Sequence, residues 1–177
     1  MNLLRSNVFL GGVAIFGLIA MAIFASRMFS HVTAASPESR FSAEYKLTLT
    51  DYAGHQVHLY DYARTVLIAY AWASWCPYCA TELQDLGSLK AKYGDRIQIV
   101  AINRGESLAV AQAFTKNISD TSGIVFLLDP EDVFYKDLGG YAMPEMAFID
   151  GFGNIIDHQR GPIQSQDVEA QIEKLLQ

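Results

Sequence analysis

Cys76 and Cys79 are the only cysteines in the 177-residue chain, and just Pro77 and Tyr78 stand between them. Two cysteines are too few for a disulfide scaffold, and this spacing is that of a reactive dithiol. Upstream, Val66 to Trp72 is a continuous apolar stretch with β-branched and aromatic members, the pattern of a strand buried on both faces of a sheet. Downstream, Leu83, Leu86, Leu89 and Tyr93 recur at helical spacing. A cysteine where a buried strand gives way to a helix meets unpaired amides and a partial positive charge, which stabilise its thiolate. Cys76 is thus the predicted nucleophile. Cys79, one helical turn later, lies near enough to attack a mixed disulfide formed at Cys76. Pro77 suits the first helical turn, where a missing N–H costs nothing. The same spacing is also half of a zinc site. No second such pair exists, and His55, His58 and His158 complete no tetrahedron, so the sequence favours redox chemistry, with no metal and no other cofactor expected.

The elements that must position this pair follow from patterning. Tyr45 to Thr50 and Gln56 to Tyr60 flank Asp51-Tyr52-Ala53-Gly54 and predict an opening hairpin. After the strand at 66–72 comes a helix over Thr81 to Tyr93, ended by Gly94, then a buried strand over Ile97 to Ile102. Ser107 can cap a helix carrying Val110, Ala113 and Phe114 on one side. Ile124 to Leu128 predicts a third buried strand, and Asp129-Pro130-Glu131 the opening of a short helix through Leu138. Ala147 to Asp150 and Asn154 to Asp157 predict a hairpin turning at Gly151 and Gly153. A last helix starts at Ser165, its apolar face made by Val168, Ile172, Leu175 and Leu176. Alternating strands and helices imply an α/β fold with a central, partly parallel sheet covered on both faces.

The formal charge of −6 comes without any basic run, which disfavours nucleic acid as a partner. Val8 to Ala25 is uncharged, mostly apolar and long enough to cross a bilayer as a helix, between Arg5 and Arg27. We read residues 1–26 as a transmembrane anchor, the competing reading being a cleaved signal peptide. Residues 27–40 turn small, polar and Pro-containing, as a linker would, and 41–177 form the folded domain. Either reading of the first segment exports the bulk of the chain, to the periplasmic or cell-surface side.

The stretch Ala71-Trp72-Ala73-Ser74-Trp75-Cys76-Pro77-Tyr78-Cys79 resembles the active-site segment of thioredoxin-like proteins, especially the membrane-anchored TlpA/ResA type. The likeness extends to Leu47–Tyr60 (an amino-terminal hairpin), Val100–Glu106 (VAINRGE) and Gly140–Asn154 (GYAMPEMAFIDGFGN), and covers nearly all of Phe41 to Gln177. It implies a thioredoxin-like fold with an amino-terminal hairpin and a redox-active Cys76–Cys79 disulfide. It further implies that Pro144 is a cis-proline facing the cysteines, and that Met143 offers backbone groups to a substrate peptide. Glu82 falls where relatives carry an acidic residue near the cysteines, which makes it the candidate for helping Cys79 lose its proton, the other reading being a solvated glutamate on the helix surface. Trp75, Pro77 and Tyr78 complete the expected substrate rim, whereas Trp72 reads as core. Three positions depart from the pattern. Tyr70 replaces the buried aspartate of ordinary thioredoxins, Gln84 replaces a helix-kinking proline, and Glu145 follows Pro144 where a small hydroxyl residue is common. A carboxylate at 145 beside the thiolate would raise the thiol's pKa.

By this resemblance the chain exchanges disulfides with protein substrates, as a reductant supplied by a membrane redox protein; apocytochrome c maturation is one role that fits. The reverse flow, donation of disulfides to secreted proteins, uses the same residues, because direction depends on a potential that the sequence does not encode. A non-catalytic peptide-binding module of a membrane complex would need neither thiol. Pro77-Tyr78 also occurs in glutaredoxins, but a glutathione site needs basic residues and only Arg104 lies near these motifs. No threonine-containing, proline-rich peroxide pocket precedes Cys76, which argues against a peroxidase.

Overall fold

A computed structural model describes residues 47–177. The expected membrane segment (1–26), the linker (27–40) and the first residues of the predicted hairpin lie outside the described residues. Among those described, no helix is long and apolar enough to cross a membrane.

Seven strands form one mixed sheet in the order β2-β1-β5-β4-β3-β6-β7. They are β1 (Thr48–Asp51), β2 (Gln56–His58), β3 (Val66–Trp72), β4 (Ile97–Arg104), β5 (Ile124–Asp129), β6 (Glu145–Ile149) and β7 (Ile155–Arg160). The centre, β5-β4-β3, is parallel, as the unbroken apolar runs of β3 and β4 require, and the flanking strands join antiparallel. All seven residues of β3 are buried. Alternation along the strands sorts side chains into two cores. Ile68, Tyr70, Trp72, Ile99 and Phe148 face one side, which also receives the cysteines. Leu67, Ala69, Ala71, Val100 and Ala147 face the other.

The first core is covered by α1 (Cys79–Tyr93), α2 (Leu108–Thr115) and α4 (Ser165–Leu175). Helix α1 buries Leu83, Leu86, Leu89 and Tyr93, the predicted stripe, and ends at Gly94, whose φ of 58° favours a residue without a side chain. At Gly87 an added Cβ would overlap the carbonyl oxygen of Asp120, so the absent side chain is what lets the loop after α2 lie against α1. Helix α4 buries Val168 and Ile172 and reaches α1 through the Tyr93 hydroxyl, whose one proton is shared between Glu169 and Glu173, each at 3.1 Å, and through a Lys92–Glu169 ion pair. The second core is covered by α3 (Val133–Asp137), with Phe134 inserted, and by the 3-10 turn Leu59–Tyr62.

Several elements differ from expectation by a shift of a few residues. Tyr60 belongs to the 3-10 turn, not to β2. The Ser107 hydroxyl caps α2 by accepting from Val110 N, but the inward face is Leu108, Ala111 and Phe114, while Val110 and Ala113 point to solvent. Helix α3 opens at Val133, later than Pro130 suggested, because Asp129 stays in β5 and its carboxylate accepts from Phe134 N at 2.8 Å. Asp132 turns the chain into α3 with φ 59°.

Candidate active site

Cys76 and Cys79 are joined as a disulfide, with Cα atoms 5.5 Å apart. Strand β3 delivers Trp72 into the core, where its ring stacks on Phe114 at 5.3 Å and meets Phe126 edge-on at 6.2 Å. The chain then turns through Ala73 to Tyr78, with Cys76 N bonded to Ala73 O at 3.1 Å. Helix α1 begins at Cys79, so Pro77 stands in the turn before the helix and not within its first turn. Both cysteines are nearly enclosed, at 3% and 0% exposure, while Pro77 between them is exposed. Trp75 and Tyr78 are 62% and 52% exposed, so the bond sits under an aromatic rim. Trp72, by contrast, is fully buried.

The turn is fastened by a carboxylate that the sequence did not flag. Glu106, just past β4, accepts from Ser74 N at 2.8 Å, from Ser74 Oγ at 2.6 Å and from Asn103 Nδ2 at 2.7 Å. Burial opposes its ionisation, but the Asn103 and Ser74 donors outweigh that and hold it below the usual carboxylate range. Its only sequence signal was its place in VAINRGE.

Glu82, one turn past Cys79, is buried rather than solvated, and its Oε1 accepts from Ile163 N at 3.2 Å. Burial pushes its pKa up to about 7, with the Ile163 amide and the Tyr70 hydroxyl pulling down and the Asp85 charge adding to the rise. Tyr70 lies fully inside the same core, and its phenol is driven well above its ordinary pKa by burial, with Glu82 as the ionisable neighbour. Neither the Tyr70 hydroxyl nor Glu82 Oε2 has a hydrogen bond of good geometry, yet each perturbs the other. Tyr70 is thus a buried phenol that stays protonated beside Glu82.

Strand β6 enters opposite the exit of β3, pairing Glu145 with Ala71. This register brings Met143 and Pro144, at the start of β6, to the sheet end from which the cysteine turn leaves. The Met143–Pro144 peptide bond is cis, Pro144 is buried, and Met143 packs on the core that holds both cysteines. Glu145 corrects the sequence expectation. Its side chain shares the face of Ala147 and Ile149, opposite the face of the cysteines, as strand alternation dictates. There it is fully buried, accepting from Tyr141 N and Ala142 N at 2.7 and 3.0 Å and meeting His158 Nε2 at 2.8 Å. It is not a charge beside the thiolate, and no rise in the thiol pKa follows from it.

Arg104 is already committed: its guanidinium donates to both Asp132 oxygens at 2.9 and 2.6 Å and lies 3.3 Å from the Tyr135 ring centre. That ties up the basic residue that the sequence singled out near these motifs. Among the described residues, no cluster of three or more His, Cys, Asp or Glu side chains is placed to hold a metal ion.

Comparison with known proteins gives the family. The family model described as Redoxin matches residues 29–176. The thiol-disulfide oxidoreductase ResA of Geobacillus kaustophilus is 27% identical over 128 residues, covering 72% of this chain and 72% of the relative. The thiol:disulfide interchange protein DsbE of Escherichia coli K12 is 29% identical over 134 residues, covering 75% and 70%. Among solved structures, DsbF of MTB superposes with a TM-score of 0.67 at 22% identity, covering 73% of this chain and 95% of that one. A thiol:disulfide interchange protein from Bacteroides sp. gives 0.65 at 17%, covering 79% and 91%. These two matches bear on the fold alone. A match across most of the chain, on a thioredoxin-like sheet with a bonded cysteine pair at a helix start, makes this chain a member of the Redoxin family and a thiol-disulfide oxidoreductase of the ResA/DsbE type.

Proposed function

We propose that the enzyme is a membrane-anchored, extracytoplasmic reductant of protein disulfides, with residues 1–26 as anchor, 27–40 as tether and 41–177 as catalytic domain. The observation that carries this reading is the Cys76–Cys79 bond under the exposed Trp75 and Tyr78 at the start of α1. Cys76 is the more exposed of the two residues, at 3% against 0%, and in the dithiol form its thiolate attacks one sulfur of the substrate disulfide. A Cys76–substrate bond forms, the substrate bond breaks, and the substrate's other sulfur leaves as a thiolate. Glu82 then takes the Cys79 proton, and the Cys79 thiolate attacks Cys76 Sγ. The internal disulfide re-forms and the second substrate sulfur departs, so one dithiol has been oxidised and one disulfide reduced. Pro77, Trp75 and Tyr78 contact the substrate, Pro144 walls the site, and Met143 lends its backbone to a peptide laid alongside. A membrane redox protein restores the dithiol. Apocytochrome c maturation is one role that fits the TlpA/ResA resemblance.

The test is to replace Cys79 by Ser in the native membrane. Mixed disulfides should accumulate on Cys76, and their partners should be exported cysteine-bearing proteins; they should vanish when Cys76 is replaced as well. Recovery of no Cys76-linked protein would remove the protein-substrate reading. A reduction potential for the Cys76–Cys79 couple above that of secreted-protein disulfides would reverse the direction of flow.

A further inference from the structure

Met143 is engaged by no backbone hydrogen bond among the described residues, although it stands at the mouth of a well-ordered strand. The peptide groups just before it are, by contrast, held by side chains on both sides. Tyr141 N and Ala142 N donate to Glu145 Oε1, and Ala142 O accepts from the Tyr135 hydroxyl at 3.0 Å. Each of these side chains has its own support. Glu145 Oε2 is fixed by His158 across the β6–β7 ladder, and the Tyr135 ring is fixed by Arg104, itself forked onto Asp132. Two further backbone bonds, Gly140 N to Tyr135 O at 2.9 Å and Gly161 N to Pro144 O at 2.8 Å, close the frame.

We propose that Glu145 with His158, and Tyr135 with Arg104, form a clamp that orients the free N–H and C=O of Met143 to receive an extended, cysteine-bearing substrate peptide. The clamp grips from the sheet face opposite the disulfide, so its members are positioning residues and touch neither substrate nor sulfur. Its effect is on recognition. A substrate that pairs backbone to backbone needs its register fixed before the sulfurs meet, whereas a small disulfide with no backbone needs only the sulfurs. The inference rests on the protein-substrate reading given above. A fully buried carboxylate that takes two amides and an imidazole is costly to leave half satisfied, which gives the clamp its stiffness.

The experiment uses the full chain in detergent, reduced beforehand, and follows single-turnover oxidation by two probes: a short peptide with one internal disulfide, and dithiodiethanol. Glu145→Gln, which keeps one acceptor oxygen and replaces the other by an amide, and Tyr135→Phe, which keeps the ring and loses the hydroxyl, are compared with the parent. The expected result is that half-saturation by the peptide rises about tenfold in each variant, as loss of one hydrogen bond to a fixed group implies. The limiting rate and the reaction with dithiodiethanol stay at the parent's values. Tyr135→Phe tests the clamp alone should Glu145→Gln not fold. Equal losses with both probes would assign these residues to the thiol chemistry or to general stability and overturn the clamp. Unchanged peptide kinetics in the variants would overturn it while leaving the protein-substrate reading intact. A parent that reacts with dithiodiethanol but ignores the peptide would overturn both.

Discussion

Burial raises the Glu82 pKa to about 7, whereas an exposed glutamate loses its proton near 4.5. Between those values the folded protein binds one more proton than the unfolded chain, so folding stability contributed by this residue falls as pH rises through the window and is level above it. Thermal melts from acid to neutral pH should show this decline in the parent and lose it in Glu82→Gln. The catalytic counterpart has the same midpoint. If Glu82 is the base for Cys79, release of a mixed disulfide from Cys76 should speed up as pH approaches 7, and Glu82→Gln should slow that step by on the order of 100-fold at neutral pH. Tyr70 matters here because its hydroxyl pulls the Glu82 pKa down against the burial that raises it. Cys76, Cys79 and Glu82 were legible as neighbours in the sequence because they sit within two helical turns of one another. The role of Glu145 was not. Proximity in sequence to Pro144 suggested proximity to sulfur, and only the alternation of β6 turned the carboxylate to the other side of the sheet.

At the level of elements, the unbroken apolar runs of β3 and β4 and the leucine stripe of α1 carried enough signal to be placed within a residue or two. Helix α2 shows the limit. Its inward face is Leu108, Ala111 and Phe114, and the sequence offers an equally apolar neighbouring set, so only packing against Trp72 decides between them. Helix α3 was misplaced for a related reason: Pro130 is a permissible helix opener, but Asp129 is held in β5 and caps the chain further on. The contacts that fasten the site, Glu106 to Ser74 and Tyr135 to Ala142, join elements far apart or loops without periodicity, and left no pattern to find. Gly87 marks a contact between elements that can be tested. Gly87→Ala would strike the Asp120 carbonyl, and because backbone cannot yield as a long side chain can, the expected loss is about 1–3 kcal/mol of stability, read from the urea midpoint. Helix propensity alone predicts the opposite sign, since alanine is the better helix former.

For the whole molecule, the sheet separates two tasks. The core under α1, α2 and α4 holds the cysteines and Glu82, while the core under α3 holds the clamp residues and Phe134. Phe134→Ala should cost about 3–5 kcal/mol by opening a cavity in the second core. The folded fraction should still exchange its disulfide with small thiols at the parent's rate, because no sulfur contacts that core; a matching loss of small-thiol reactivity would show that the two sides are not separable.

The flanks of the sheet carry a last consequence. One ends in β2, only three residues long, and the other in β7, whose pairing with β6 is irregular and which carries Asp157 and Arg160. Short, interrupted and charged borders give a stray polypeptide little to zip onto. With both borders closed in this way, under the clamp proposal the amide and carbonyl at Met143 are the open backbone on which an extended client pairs, so that the same economy of exposed strand edge predicts one productive docking place.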